Sequence, residues 1–125
     1  MGERARTLVR VRATGNSVSM PLTLLGWVFT GLLLVLVVTC IAASRGALPL
    51  NHYFGVRLPA LMRSDAAWRA GHAAGAVPAA IAFAVALVCS AIGLAAPAAY
   101  WGSIVAMAGG VVWVFVRASG AANAS

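Results

Sequence analysis

The chain has no lysine, and Glu3 and Asp65 are its only acids. So far apart in sequence, they offer no carboxylate pair for general acid–base chemistry, and no Ser/His/Asp or metal-ligand spacing takes its place. Cysteine is equally sparse. Cys40 and Cys89 each lie inside an apolar run, without a CxxC or a Cys/His spacing. They read as small buried hydrophobes and not as a redox pair or metal ligands. Charge of any kind is scarce, at 9% of 125 residues, where an ordinary soluble domain carries about a quarter. These absences argue against an enzyme, imply no cofactor or metal, and set the chain apart from soluble globular domains.

What is present is apolar. Hydrophobic residues make up 62% of the chain, the mean hydropathy is +0.95, and three long runs are uncharged. The expected fold is an all-α membrane protein with three transmembrane helices over roughly 22–43, 77–96 and 98–116. A basic tail, 1–20, precedes this domain (21–116), and a short tail, 117–125, follows it. Residues 1–20 hold Arg4, Arg6, Arg10 and Arg12 without apolar periodicity and read as an irregular or surface-lying segment. Met20 is an alternative start. In span one, Pro21 suits a first helical turn and Trp27 sits near headgroup level. The same run with its arginine leader resembles a signal peptide, and VVTC around Cys40 resembles a lipoprotein cleavage site. The run exceeds the roughly 7–15 apolar residues of a signal sequence, however, so a retained span is expected.

Spans two and three are separated only by the turn at Pro97. Ala82, Ala86 and Ser90 recur at every fourth position in span two, as do Gly102, Ala106 and Gly110 in span three. Small residues at this spacing let helices approach closely in lipid. They fit either a hairpin between the two spans, the favoured reading, or a homo-oligomer through Gly102, Ala106 and Gly110. Tyr100, Trp101, Trp113 and Phe115 read as interfacial belts at the ends of span three.

The net charge of +7 is carried by nine basic residues, all arginines, in the tails, the central loop and the span edges. Charges so placed set topology and touch anionic headgroups in the lipid bilayer; no nucleic-acid motif accompanies them. The composition, rich in Ala, Arg and Gly without lysine, suggests a high-GC bacterial source and a plasma-membrane location.

Most of the polar chemistry lies in a strip at 45–76, between spans one and two. Pro49 and Pro59 favour extended backbone before them, and Gly55 permits a tight turn. Ser64 is a good N-cap and Asp65 a good first-turn acid for a short interfacial helix. That helix would place Trp68, His72 and Gly75 on one face, with Pro78 either opening span two or kinking a continuous helix. Each residue also has a plainer role: Trp68 as an interface anchor, His72 as a hydrogen-bonded side chain, Asp65 as a helix start, Arg57 and Arg63 as headgroup contacts. Their density in one strip is what points to function. Arg57 stands out, because a guanidinium in a Gly-x-Arg turn can brace carbonyls or an acid, with Asp65 its nearest candidate partner.

Asn51, Tyr53-Phe54, Gly55-Val56-Arg57, Pro59, Ser64-Asp65, Trp68, His72 and Gly75 together resemble the signature of the SdpI family, in order and spacing, over about 25 residues. Leu50 stands where that signature has a proline, here shifted to Pro49, and Leu58 where threonine is common. The resemblance implies a polytopic bacterial membrane protein that protects against a membrane-active peptide toxin. In some members this is joined to signalling, by holding a cytosolic repressor at the membrane. The functional strip it implies comprises Asn51, Gly55, Arg57, Pro59, Ser64, Asp65, Trp68, His72 and Gly75. The alternative is an accessory subunit of a larger membrane complex, or a transporter-like bundle, using the same strip for docking.

Overall fold

The computed structural model describes residues 2–125, and the side chains of all of these except 8, 9 and 11–20. Three helices carry the fold: α1, Gly2–Ser44; α2, Asp65–Gly93; and α3, Tyr100–Asn123. Single 3-10 turns at Leu61–Arg63 and Pro97–Ala99 complete it. The segments Pro21–Ser44, Asp65–Gly93 and Pro97–Asn123 are each long and apolar enough to cross a membrane. Leu24, Val35, Val38, Val77, Val88, Val105, Val112 and Val116 point outward, as lipid-facing residues do.

Helix α1 departs from expectation at its start. The irregular tail expected over 1–20 is helical from Gly2, so Pro21 lies inside the helix and not in its first turn. Span one supplies the nucleus, and extending an existing helix costs far less than starting one, so the leader joins it even though it carries Gly15 and Asn16. Arg4, Arg6 and Arg10 are exposed; the side chain of Arg12 lies outside the described ones.

Helix α2 is also longer than its span. The short interfacial helix is fused to span two, with Pro78 buried inside one continuous helix. Its 29 residues extend about 43 Å at 1.5 Å each. A hydrocarbon core of ~30 Å therefore leaves roughly the first nine residues, through the strip's Trp68 and His72, at the membrane edge.

Helix α2 is the middle member of the bundle and packs on both α1 and α3. Its contacts with α3 use the small residues. A side chain at Gly110 would collide with Ala82, and one at Gly102 would stand 2.5 Å from Cys89 Sγ. Ala106 packs on the cluster of Leu33, Ala82 and Ala86. The face of Gly102, Ala106 and Gly110 is thus occupied within the chain, by the hairpin. Cys40 and Cys89 are both free.

The aromatic residues divide. Trp27, Trp101, Trp113 and Phe115 are exposed, whereas Tyr100, expected in an interfacial belt, is 1% exposed. Its ring fills the space beside Gly26 of α1 and Gly93 of α2, where a side chain on either glycine would strike it. Two glycines meeting one ring made the close approach, a pairing that spacing along the chain does not reveal.

Candidate functional site

The strip folds back as a lid over the end of the bundle. Asn51 starts it with a side-chain-mimicked turn: its Oδ1 accepts the N–H groups of Tyr53 (2.9 Å) and Phe54 (2.7 Å), and its Nδ2 donates to Pro49 O (2.7 Å). Asparagine serves here because one amide supplies both donor and acceptor to nearby backbone. Gly55 follows at φ 101°. A side chain there would also stand 2.8 Å from both His72 Nε2 and the Trp68 ring. Conformation and space both demand glycine.

His72 fixes the lid to α2. Its Nε2 receives the backbone N–H of Val56 at 3.0 Å, and Nδ1 lies 2.8 Å from Trp68 O. A backbone N–H can only donate, so Nε2 is the acceptor and the ring proton resides on Nδ1, donated to Trp68 O. The ring is fully buried, with its centroid 4.2 Å from that of Trp68. Trp68 is itself 1% exposed and donates Nε1–H to Leu48 O at 3.0 Å. It is a core residue that holds the lid at Leu48 and lies beside Gly55, not an interface anchor.

The remaining strip residues secure the second half of the loop. After Pro59, Leu58 O accepts from the N–H groups of Leu61 and Met62, closing the 3-10 turn. Ser64 caps α2 by accepting Ala67 N–H at 3.1 Å, and Asp65 is exposed in the first turn, where its charge suits the helix dipole. Leu61 seats against Gly71, and Gly75 lets α2 approach Val114 of α3 and Cys40 of α1. Arg63 donates Nη2 to Ala122 O (3.2 Å) and Asn123 Oδ1 (3.0 Å), serving the C-terminal end of α3 from outside it. The strip and the C-terminus therefore share one end of the bundle.

Arg57 and Asp65 are not brought together. The Arg57 guanidinium turns back to Tyr53 O at 3.4 Å, and both residues are exposed. The signature thus divides by task. Asn51, Gly55, Ser64, Trp68, His72 and Gly75 build the lid, whereas Tyr53 (81% exposed), Phe54 (64%) and Arg57 are what it presents.

A second buried polar feature is not apparent from the sequence pattern. Thr30 of α1, Ser90 of α2 and Ser103 of α3 form a hydroxyl chain, with Oγ1–Oγ 2.9 Å and Oγ–Oγ 2.8 Å. Thr30 also reaches Gly26 O (2.8 Å) and Ser103 reaches Ala86 O (3.0 Å). Along the chain, Ser90 stands out only as a small residue in a stripe. Its polarity is the available signal, since a buried hydroxyl in lipid needs a partner on a neighbouring helix. Among the described residues no group of three His, Cys, Asp or Glu side chains is placed to hold a metal ion.

Fold and lid together define a three-span helical membrane protein whose polar connector is locked onto the end of its bundle. The SdpI/YfhL protein family matches residues 47–118, more than half of the chain. The protein belongs to that family. No curated protein and no solved structure matches it.

Proposed function

We propose that the protein is a non-enzymatic component of the bacterial cell membrane that protects against a membrane-active peptide toxin through the strip 51–75. The observation that carries this reading is the double anchoring of the lid by His72 and Trp68. Rigid anchoring supports a recognition role, because a loop held in one conformation loses little freedom when it binds. Signalling to a cytosolic repressor is a further capacity that family membership makes reasonable, with the same loop as the contact. Arg57 would be the principal polar contact, its neighbours Tyr53 and Phe54 the apolar ones.

The test is survival of cells challenged with a membrane-active peptide toxin, with membrane levels of each variant measured in parallel. Arg57→Ala is expected to lower protection at normal protein levels. Trp68→Ala is expected to lower both, because it removes the lid's support. Neutralising Arg4, Arg6, Arg10 and Arg12 should leave protection intact. Full protection by Arg57→Ala, or its loss in the tail variant alone, would sink the reading.

A further inference from the structure

Because α1 and α3 both pack on α2, a groove of about 340 Å³ remains between them. Its walls are apolar, including Leu36 of α1 and Met107, Val111 and Phe115 of α3, and its upper end is closed by the segment Tyr53 to Arg57. It opens toward lipid, past the exposed Leu32 and Val35. From Leu32 to Thr39 the lining rises ~10 Å along α1, from within the apolar span up to the lid.

Size and charge identify the occupant. If a methylene takes up about the ~30 Å³ of one water molecule, the groove holds roughly eleven, the bulk of one acyl chain. At its mouth stands Arg57, exposed, with one long bond to Tyr53 O. Arg45, Arg63, Arg69 and Arg117 lie toward the same end, against the single acid Asp65. A guanidinium above an apolar channel matches a phosphate above an acyl chain, and it can bind two phosphate oxygens at once.

We propose that this groove binds an anionic phospholipid, with one acyl chain between α1 and α3 and the phosphate on Arg57. The site shares Arg57 with the proposed protective surface, but it requires no toxin, so lipid binding and protection are read by separate measurements. It places a lipid beside the presented residues Tyr53 and Phe54, which line the groove.

The full chain, purified in detergent and titrated with dioleoyl phosphatidylglycerol or the phosphatidylcholine of equal chain length, tests this by native mass spectrometry. Phosphatidylglycerol should be retained about tenfold more tightly. Arg57→Gln should bring it to the phosphatidylcholine level without changing helicity, since the residue is exposed. Val111→Phe should weaken both lipids by filling the groove. In cells, Tyr53→benzoylphenylalanine should yield, on irradiation, an adduct with the mass of a phospholipid. An unchanged lipid preference in Arg57→Gln would overturn the proposal, as would irradiation that yields no phospholipid adduct at Tyr53.

Discussion

His72 shows how one residue can join a loop to the helix beneath it. It accepts from Val56 and donates to Trp68 O, which leaves a single compatible tautomer. Nitrogen-15 NMR of the imidazole should therefore find the proton on Nδ1; an Nε2–H tautomer would contradict the lid geometry. Placing a second proton on Nε2 would set one N–H against another, so acidification should release Val56 and speed exchange of its amide. Gly55 makes the complementary case. Alanine there meets both a left-handed φ of 101° and the Trp68–His72 pair at 2.8 Å. A cost of about 1–3 kcal/mol is expected, read as a lowered melting temperature in detergent. Gly109→Ala, which meets nothing within 4 Å, should be neutral or stabilise by about 0.5–1 kcal/mol. Equal behaviour of the two variants would remove the steric account of Gly55. The need for glycine at 55 was legible from the turn-forming types around it. The bond from Val56 was not, because it joins positions sixteen residues apart through a backbone group that has no sequence signature.

At the scale of elements, the three spans were legible because uncharged runs long enough to cross lipid are rare in soluble chains. Their ends were less so. The joining of the interfacial helix to span two, and of the leader to span one, depends on helix propagation past Pro78 and Pro21. A proline in a sequence marks a missing N–H but does not say whether neighbouring helices compensate for it. The hairpin is the best-determined joint. Gly110→Ala drives a methyl into Ala82 and should destabilise by about 1–3 kcal/mol through overpacking, measurable by denaturation in detergent. The hydroxyl chain should matter less. Three hydroxyl protons serve four short contacts among Thr30, Ser90, Ser103 and the carbonyls of Gly26 and Ala86. Thr30 and Ser103 can each donate to a carbonyl, so Ser90 can donate to only one of its two neighbours at a time. Ser90→Ala then leaves both neighbours with a backbone acceptor, and its cost should stay near the ~0.6 kcal/mol average for hydrogen bonds between transmembrane helices. A loss as large as that of Gly110→Ala would mean that the chain, and not the close packing, holds the three helices together.

For the molecule as a whole, the decisive property is which face of the membrane the lid occupies. Arg63 bonded to Ala122 and Asn123 places the lid and the C-terminus at the same end of the bundle. Cysteines introduced at exposed Ala66 and Ala124, with Cys40 and Cys89 replaced by alanine, should therefore label from the same side. Ala122 is unsuitable as a reporter because it is fully buried. Charge then orients the pair. Arg45, Arg57, Arg63, Arg69 and Arg117 belong to the lid end, and Arg4, Arg6, Arg10 and Arg12 to the other, nearly balanced by number. Arg4, Arg6, Arg10 and Arg12 all lie within about 15–20 residues of the start of span one and count under the positive-inside rule. The lid end therefore leads by five arginines to four and is expected on the cytosolic side. An impermeant thiol reagent applied to intact cells should leave Ala66→Cys unlabelled until the membrane is opened. Labelling of both Ala66→Cys and Ala124→Cys from outside would reverse the orientation while keeping the three-span fold. Labelling of only one would break the fold itself.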